Sequence, residues 1–222
     1  RNVHFRRAVM YSMDRATMVA QRKGEDLKYN CMINAYVPGN FVYLSKEVTV
    51  DINGESVTFP AGTAYGTIRQ RQLDADGSTM KTYDEETGLG TGFDGWYNPE
   101  AANAELAIAI EELAAQGYEI SAENPVYLDI ASFTGNDSFK NQDQALKQSV
   151  ENVLGGVVIV NIVPCDTQKD WLNATYYPNT GAEMNFNIGN NGGWGPDYGD
   201  PKSYLDTLLP GGNGMTKSFG LF

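Results

Sequence analysis

The sequence predicts an α/β fold, and three observations carry that reading. Strand and helix signals alternate through the second half of the chain, two of the strand signals are apolar almost throughout, and an Asn-Gly pair between two Val/Thr runs marks a hairpin in the first half. A strand that is apolar on both faces must be covered on both, which parallel pairing between flanking helices achieves.

The elements follow in chain order. Phe5, Ala8, Val9, Ser12 and Met13 recur at helical spacing in the stretch from Val3 to about Gly24, and Asp14 offers a carboxylate suited to cap a helix from Ala16 to Lys23. One helix broken near Asp14, or two short ones, is expected. From Tyr29 to Pro60 the pattern turns to short runs rich in Val, Tyr and Thr, punctuated by Val37-Pro38-Gly39-Asn40 and Ile52-Asn53-Gly54-Glu55. Asn53-Gly54, set between Val48-Thr49-Val50 and Val57-Thr58-Phe59, predicts a hairpin, because the tight turn that matches strand twist needs positive φ at both central residues. Residues Gly62 to Asp94 are rich in Gly, Asp and Thr, show no sustained period and read as a long surface excursion.

Pro99 opens a helix reaching about Ala115, with Ala101, Leu106, Ile110 and Leu113 on one face and Gly117 as its stop. Pro125 to Ile130 reads as a strand, Asn141 to Leu154 as a helix with Ala145, Leu146 and Val150 inward, and Val157 to Val163 as a nearly continuous apolar strand. Asp166 to Tyr177 is expected as a helix, Met184 to Ile188 as a strand and Pro201 to Leu209 as a final short helix. The expected architecture is a mixed, mostly parallel sheet flanked by helices, with the hairpin and the 62–94 excursion attached.

Composition narrows the function. The chain has 222 residues, 41% of them hydrophobic and 20% charged, enough to bury a core and too apolar for disorder. Its net charge of −12 repels phosphate backbones and anionic lipid surfaces, and no Lys/Arg cluster offsets it. Neither nucleic acid nor an anionic membrane surface is therefore the expected partner. The longest apolar run, Val157 to Val163, falls far short of the roughly 18 residues that a membrane-spanning helix needs. Cys31 and Cys165 form neither a CxxC motif nor a disulfide framework, and one bridge between them remains open. With a single histidine, His4, acid–base catalysis near neutral pH and zinc ligation lose their commonest residue, and His4 itself reads as a surface or capping group.

Glycoside hydrolysis needs two facing carboxylates at roughly 5 to 9.5 Å, whereas Glu85-Glu86 and Glu111-Glu112 are adjacent in sequence and point apart. Asp74-Ala75-Asp76-Gly77-Ser78 has its glycine too early for a calcium loop and no Glu at the twelfth position, so it reads as a turn. No cofactor or metal is expected.

The segment Gly192-Gly193-Trp194-Gly195-Pro196-Asp197-Tyr198-Gly199-Asp200-Pro201 differs from these. Its glycines let another backbone approach closely, Trp194 supplies a rigid apolar wall, and Asp197 supplies a negative charge, a set suited to an extended ligand with a cationic end. Asp200, directly before an N1 proline, is read as a helix cap.

Here the chain resembles the bacterial extracellular solute-binding proteins of family 5, the oligopeptide, dipeptide and nickel receptors of ABC importers, and is most similar to the Gram-positive oligopeptide-binding lipoproteins. The carrying residues are Trp194-Gly195-Pro196-Asp197-Tyr198-Gly199-Asp200-Pro201 with Ser203-Tyr204-Leu205-Asp206; Arg6-Arg7-Ala8-Val9 with Met13-Asp14-Arg15; and Gly95-Trp96-Tyr97-Asn98 with Ala101, Ala104, Leu113 and Gly117. The resemblance implies a periplasmic-binding-protein-like lobe, residues 1–222 forming a single domain that corresponds to the C-terminal, ligand-closing lobe, with the N-terminal lobe outside this chain. It implies that Asp197 pairs with the α-ammonium of a bound oligopeptide and that Trp194 lines the adjoining pocket. The backbones of Gly193 and Gly195 would bond the peptide main chain by strand addition, with Asn191 and Tyr198 as secondary contacts. The implied partners are an oligopeptide, the N-terminal lobe and ABC permease subunits. The implied location is the extracellular face of the membrane, with a lipid anchor outside this chain. A family member taking a nickel complex or a sugar is the alternative within the family. A carboxylate-based hydrolase, with Asp197 facing Asp200, Asp129 or Glu183 across one cleft, is the alternative outside it.

Overall fold

A computed structural model describes residues 2–189 and 198–209. The first helical stretch is two helices, α1 (Val3–Tyr11) and α2 (Arg15–Lys23), each started by a side chain: Asn2 accepts from the Phe5 N–H, and Asp14 from the Thr17 N–H. The break between them is held by a third partner. Ser149 accepts from the Asp14 N–H at 2.9 Å and donates to the Ser12 carbonyl, satisfying backbone groups that the interrupted helix leaves open.

The hairpin forms as predicted. Strands β1 (Val48–Ile52) and β2 (Glu55–Phe59) pair antiparallel with Ile52 opposite Glu55, and the turn holds Asn53 at φ 52° and Gly54 at φ 85°. The reading of residues 62–94 as an excursion without regular structure is corrected by α3 (Tyr65–Ala75). This helix has almost no apolar stripe and is anchored by polar contacts instead. Gln70, 7% exposed, donates to Asp74 Oδ1 and the Met80 carbonyl, and its own oxygen accepts from the Thr82 N–H. Gly66 crosses Gly39 so closely that a Cβ built on it would lie 2.8 Å from the Gly39 Cα.

Helix α4 (Pro99–Ala114) starts on Asn98, which accepts from the Ala101 N–H, and buries Ala102, Leu106 and Ala109 against α1. The centre of its inward face is thus turned slightly from the expected one, with Ala101 and Ile110 partly buried at its margin. Next come β3 (Val126–Phe133), α5 (Asp137–Val153) and β4 (Val158–Cys165), a strand–helix–strand unit whose strands pair parallel from Val126↔Val158 to Phe133↔Cys165. The main core gathers around this unit: Ile130 from β3, Leu146 and Val150 from α5, Val158 and Val160 from β4, and Ala8, Tyr11 and Leu106 from α1 and α4.

Met184 to Ile188, expected as a strand, forms only a single parallel bridge between Ile130 and Ile188. The side chain of Asn187 explains the difference: its Oδ1 accepts from the Asp129 N–H, and the N–H groups of Asn187 and Ile188 both converge on the Asp129 carbonyl. One residue of β3 is thereby bonded by a loop, and no ladder propagates. The α/β class holds, and the described residues form a hairpin and a parallel pair as separate two-stranded sheets.

On its side away from β3, β4 is held by α5 at Val160. The Val160 N–H donates to Glu151 Oε1 at 2.9 Å, its carbonyl accepts from Lys147 Nζ at 2.7 Å, and Lys147 and Glu151 form an ion pair. Helix α6 (Gln168–Thr175) follows, capped by Thr167, and its Trp171 indole donates to the Ala131 carbonyl. Helix α7 (Pro201–Leu205) begins on Asp200, whose carboxylate accepts from the Lys202 N–H as expected, and passes into a 3₁₀ turn over Asp206–Leu208. Cys31 is exposed, Cys165 is buried and both are free thiols, so no bridge joins them. Among the described residues no helix is long and apolar enough to cross a membrane.

Candidate functional site

Of the residues singled out in the Gly-rich segment, Asn191, Gly193, Trp194, Gly195 and Asp197 lie outside the described residues. Tyr198, which directly follows Asp197, is 75% exposed. The segment it opens is held on two sides. Asp200 caps α7, and Tyr204, one turn into that helix, packs against Phe41 with ring centroids 5.5 Å apart and planes tilted by 57°. A Cβ placed on Gly199 would meet the Phe41 ring at 3.9 Å, so the 198–200 backbone runs alongside that ring.

The loop that carries Phe41 is fixed from below. Gly39 and Val42, on either side of it, accept from the N–H groups of Gly66 and Tyr65 at 2.8 and 2.9 Å, at the start of α3. The first turn of α3 has no side-chain cap, and these carbonyls use backbone donors that would otherwise be open. Phe41 is the residue that sequence reasoning missed here. Its only signal was its place beside the Pro38-Gly39-Asn40 turn.

The other two sequence matches meet in a second cluster. Arg15, from the first match, donates to Asn34 Oδ1, to the Ile33 carbonyl at 3.2 Å and to Asp94 Oδ1 at 3.0 Å, and lies over the Trp96 ring at 4.1 Å. Asp94 Oδ1 also accepts from the N–H groups of Trp96 and Tyr97. Burial pushes the Arg15 guanidinium below its ordinary value, and the Asp94 charge opposes that shift. Asn34, 2% exposed, donates onward to the Phe93 carbonyl. The group therefore ties α2, the 33–34 loop and the 93–97 loop together.

A cavity of about 740 Å³ opens beside this cluster, between α3 and residues 79–98, and none of residues 198–209 lines it. Its charged walls are largely committed. Burial pushes the Asp74 carboxyl up, but hydrogen bonds from Gln70 and Lys81 together with the Lys81 and Arg71 charges bring it below the ordinary range, while Asp84 Oδ1 accepts from the N–H groups of Glu86 and Thr87. The cavity is a seam between helix and loop, and the 198–204 segment remains the better candidate site.

The carboxylates named for a hydrolase are spread among local roles. Asp129 accepts from Asn161, Glu183 accepts from the Asn179 N–H, and Asp200 caps α7. His4, expected as a surface or capping group, is partly exposed and bonds Glu105 at 2.6 Å, linking α1 to α4. Among the described residues no group of three or more His, Cys, Asp or Glu side chains could hold a metal ion.

No family model matches the chain. The oligopeptide-binding protein SarA of Streptococcus gordonii is 32% identical over 219 residues, 98% of this chain and 29% of that protein. The oligopeptide-binding protein AmiA of Streptococcus pneumoniae is 30% identical over 218 residues, with the same two coverages of 98% and 29%. The chain thus spans less than a third of the length of the curated relatives it matches. Among solved structures, the substrate-binding domain of an oligopeptide ABC transporter from Bacillus anthracis aligns with a TM-score of 0.47 at 18% identity, covering 93% of this chain and 29% of that one. Haemophilus influenzae OppA in complex with RPPGFSPFR aligns with a TM-score of 0.48 at 14% identity, covering 98% and 30%. The resemblance carried by the motifs is therefore a homology that runs along nearly the whole chain.

Proposed function

We propose that this chain, homologous to a stretch of the streptococcal oligopeptide-binding proteins, is the ligand-closing lobe of a two-lobed receptor that captures oligopeptides outside the cell for an ABC importer. The observation that carries the reading is the 32% identity over 98% of the chain to a protein named for oligopeptide binding. The function is binding, with no chemistry on the peptide. Closure of two lobes around the ligand would create the form that permease subunits recognise, and a lipid anchor outside this chain would hold the receptor at the membrane.

In this proposal Asp197 takes the peptide α-ammonium, Trp194 walls the adjoining pocket, and the backbones of Gly193 and Gly195 bond the peptide main chain, with Asn191 and Tyr198 beside them. Asp200, the other carboxylate before the proline, caps α7, and the resemblance gives the ammonium to Asp197. Each main-chain bond contributes about 0.5 to 1.5 kcal/mol net, whereas breaking a buried charge pair costs about 2 to 5 kcal/mol. Asp197 is then the largest single contribution. A micromolar complex corresponds to roughly −8 kcal/mol, so a lobe supplying half the contacts would bind at about millimolar alone.

The test is calorimetry on the two-lobed receptor with Asp197→Asn. Free-amine peptides are expected to weaken by about 2 to 5 kcal/mol while their N-acetylated forms hardly change. Equal losses for both would overturn the assignment.

A further inference from the structure

Asn53-Gly54 turns the hairpin, and the same dipeptide is chemically labile. Asn-Gly is the pair most prone to lose side-chain ammonia, because glycine has no side chain to shield its nitrogen from the asparagine amide. In that reaction the Gly54 nitrogen gives up its proton, attacks the Asn53 side-chain carbonyl carbon and expels the amide as ammonia, closing a succinimide ring. Water then opens the ring at either carbonyl and leaves aspartate or isoaspartate. The amide nitrogen departs, one oxygen enters from water, and no oxidant or reductant takes part.

In the fold each reacting group is engaged elsewhere. Asn53 Nδ2 donates to the Ala75 carbonyl at 3.0 Å and to Asp76 Oδ1 at 2.9 Å, and Asn53 Oδ1 accepts from Gln72 Nε2 at 3.4 Å. Ala75 is the last residue of α3, so the amide also satisfies a carbonyl that the helix leaves open. The Gly54 N–H donates to Asp51 Oδ1 at 2.9 Å, and a carboxylate accepting from that proton opposes its removal. Turning the Asn53 amide toward the Gly54 nitrogen therefore breaks the clasp on α3, and freeing the nitrogen breaks the bond to Asp51.

We propose that Asn53 is a latent deamidation site, guarded by the clasp it forms with the end of α3, and that its conversion loosens the hairpin from that helix. An aspartate at 53 has no amide hydrogens for Ala75 or Asp76 and sets a second carboxylate beside Asp76. Isoaspartate also adds a methylene to the backbone of a two-residue turn, which the tight connection between paired strands does not absorb. Either product leaves the exposed Arg71–Glu55 ion pair as the polar link between hairpin and α3 among the described residues, and a surface pair holds weakly. The ammonia is lost for good, so refolding does not restore the clasp.

The experiment incubates the folded protein, the protein in guanidinium chloride and a synthetic peptide of residues 47–69 at mildly alkaline pH, and follows Asn53 by mass spectrometry. Trypsin releases residues 47–69 as one peptide in which Asn53 is the only side-chain amide, so Asn191-Gly192 and Asn213-Gly214, outside the described residues, do not interfere. Conversion in the folded protein is expected to be at least about tenfold slower than in the unfolded protein or the peptide. Gln72→Ala and Asp76→Ala should each raise the folded rate by about threefold or more, with Cys165 still shielded from alkylation as the sign that the fold persists. As an independent measurement, Asn53→Asp should speed amide exchange across residues 48–59 by about tenfold while leaving β3 and β4 unchanged. Equal rates in folded and unfolded protein, or a folded rate that ignores both substitutions, overturns the guarding. Unaltered hairpin exchange in Asn53→Asp overturns the loosening.

Discussion

Arg15 does more for this structure than its place in a helical first turn suggests. It is largely buried, its side chain 18% exposed against 11% for Asp94, and one guanidinium reaches three loop residues while stacking on Trp96. A lysine can replace the charge but neither the planar fork nor the stack. Arg15→Lys is therefore expected to destabilise by about 1 to 2 kcal/mol and Arg15→Ala by about 3 to 5 kcal/mol, since the latter leaves Asp94 buried without its cation. Urea unfolding of the two variants gives the ranking, and midpoints equal to that of the unsubstituted protein would show that the cluster contributes nothing. None of this was legible in the sequence beyond the identity of the residues. Asn34 and Asp94 stand 19 and 79 positions from Arg15, and no local pattern announces such contacts. The Asp200 cap was legible because a carboxylate before an N1 proline acts on its own neighbours.

The same division holds for whole elements. Two helices split at Asp14, the hairpin, α4, the β3–α5–β4 unit and α6 all emerge near their expected bounds, because apolar periodicity, capping residues and the Asn-Gly turn act within a few residues. What failed was structure maintained from a distance. The α3 segment has too few apolar residues to show a period and exists through buried Gln70, whose carbonyl partner Met80 and amide partner Thr82 lie beyond the helix. The 184–188 run has strand-like composition, but Asn187 spends its side chain on the backbone of Asp129. By contrast, α5 announced its inward face in advance. Leu146, 2% exposed, packs in the main core with Ile130 of β3 and Val158 and Val160 of β4, and Leu146→Ala should cost about 2 to 5 kcal/mol through lost burial and a residual cavity. Thermal unfolding checks this, and a loss under about 1 kcal/mol would mean that the core closes around the gap.

At the scale of the molecule, the free cysteines give the most direct check of how the chain is arranged. Cys165 ends β4 with 7% exposure, and burial, reinforced by the Asp170 and Asp166 charges, pushes its thiol above the ordinary value. Cys31 is exposed. A thiolate is the reactive species, so an alkylating reagent should label Cys31 in the native protein and reach Cys165 only after denaturation. Mass spectrometry without reductant should then count two additions, and a count of zero would demonstrate a bridge that the fold does not contain.

The clasp that α5 places on Val160 bears on how the molecule keeps to itself in company. Open sheet margins invite foreign strands, and a receptor of the kind proposed here would meet them constantly. An intruder aligning on β4 would have to pull apart the Lys147–Glu151 pair before gaining its first backbone bond there, and would then find no donor at Pro164 further along. At Val160 and Pro164 that margin gives little to the very kind of cargo the protein is proposed to carry, so a captured chain has reason to settle elsewhere.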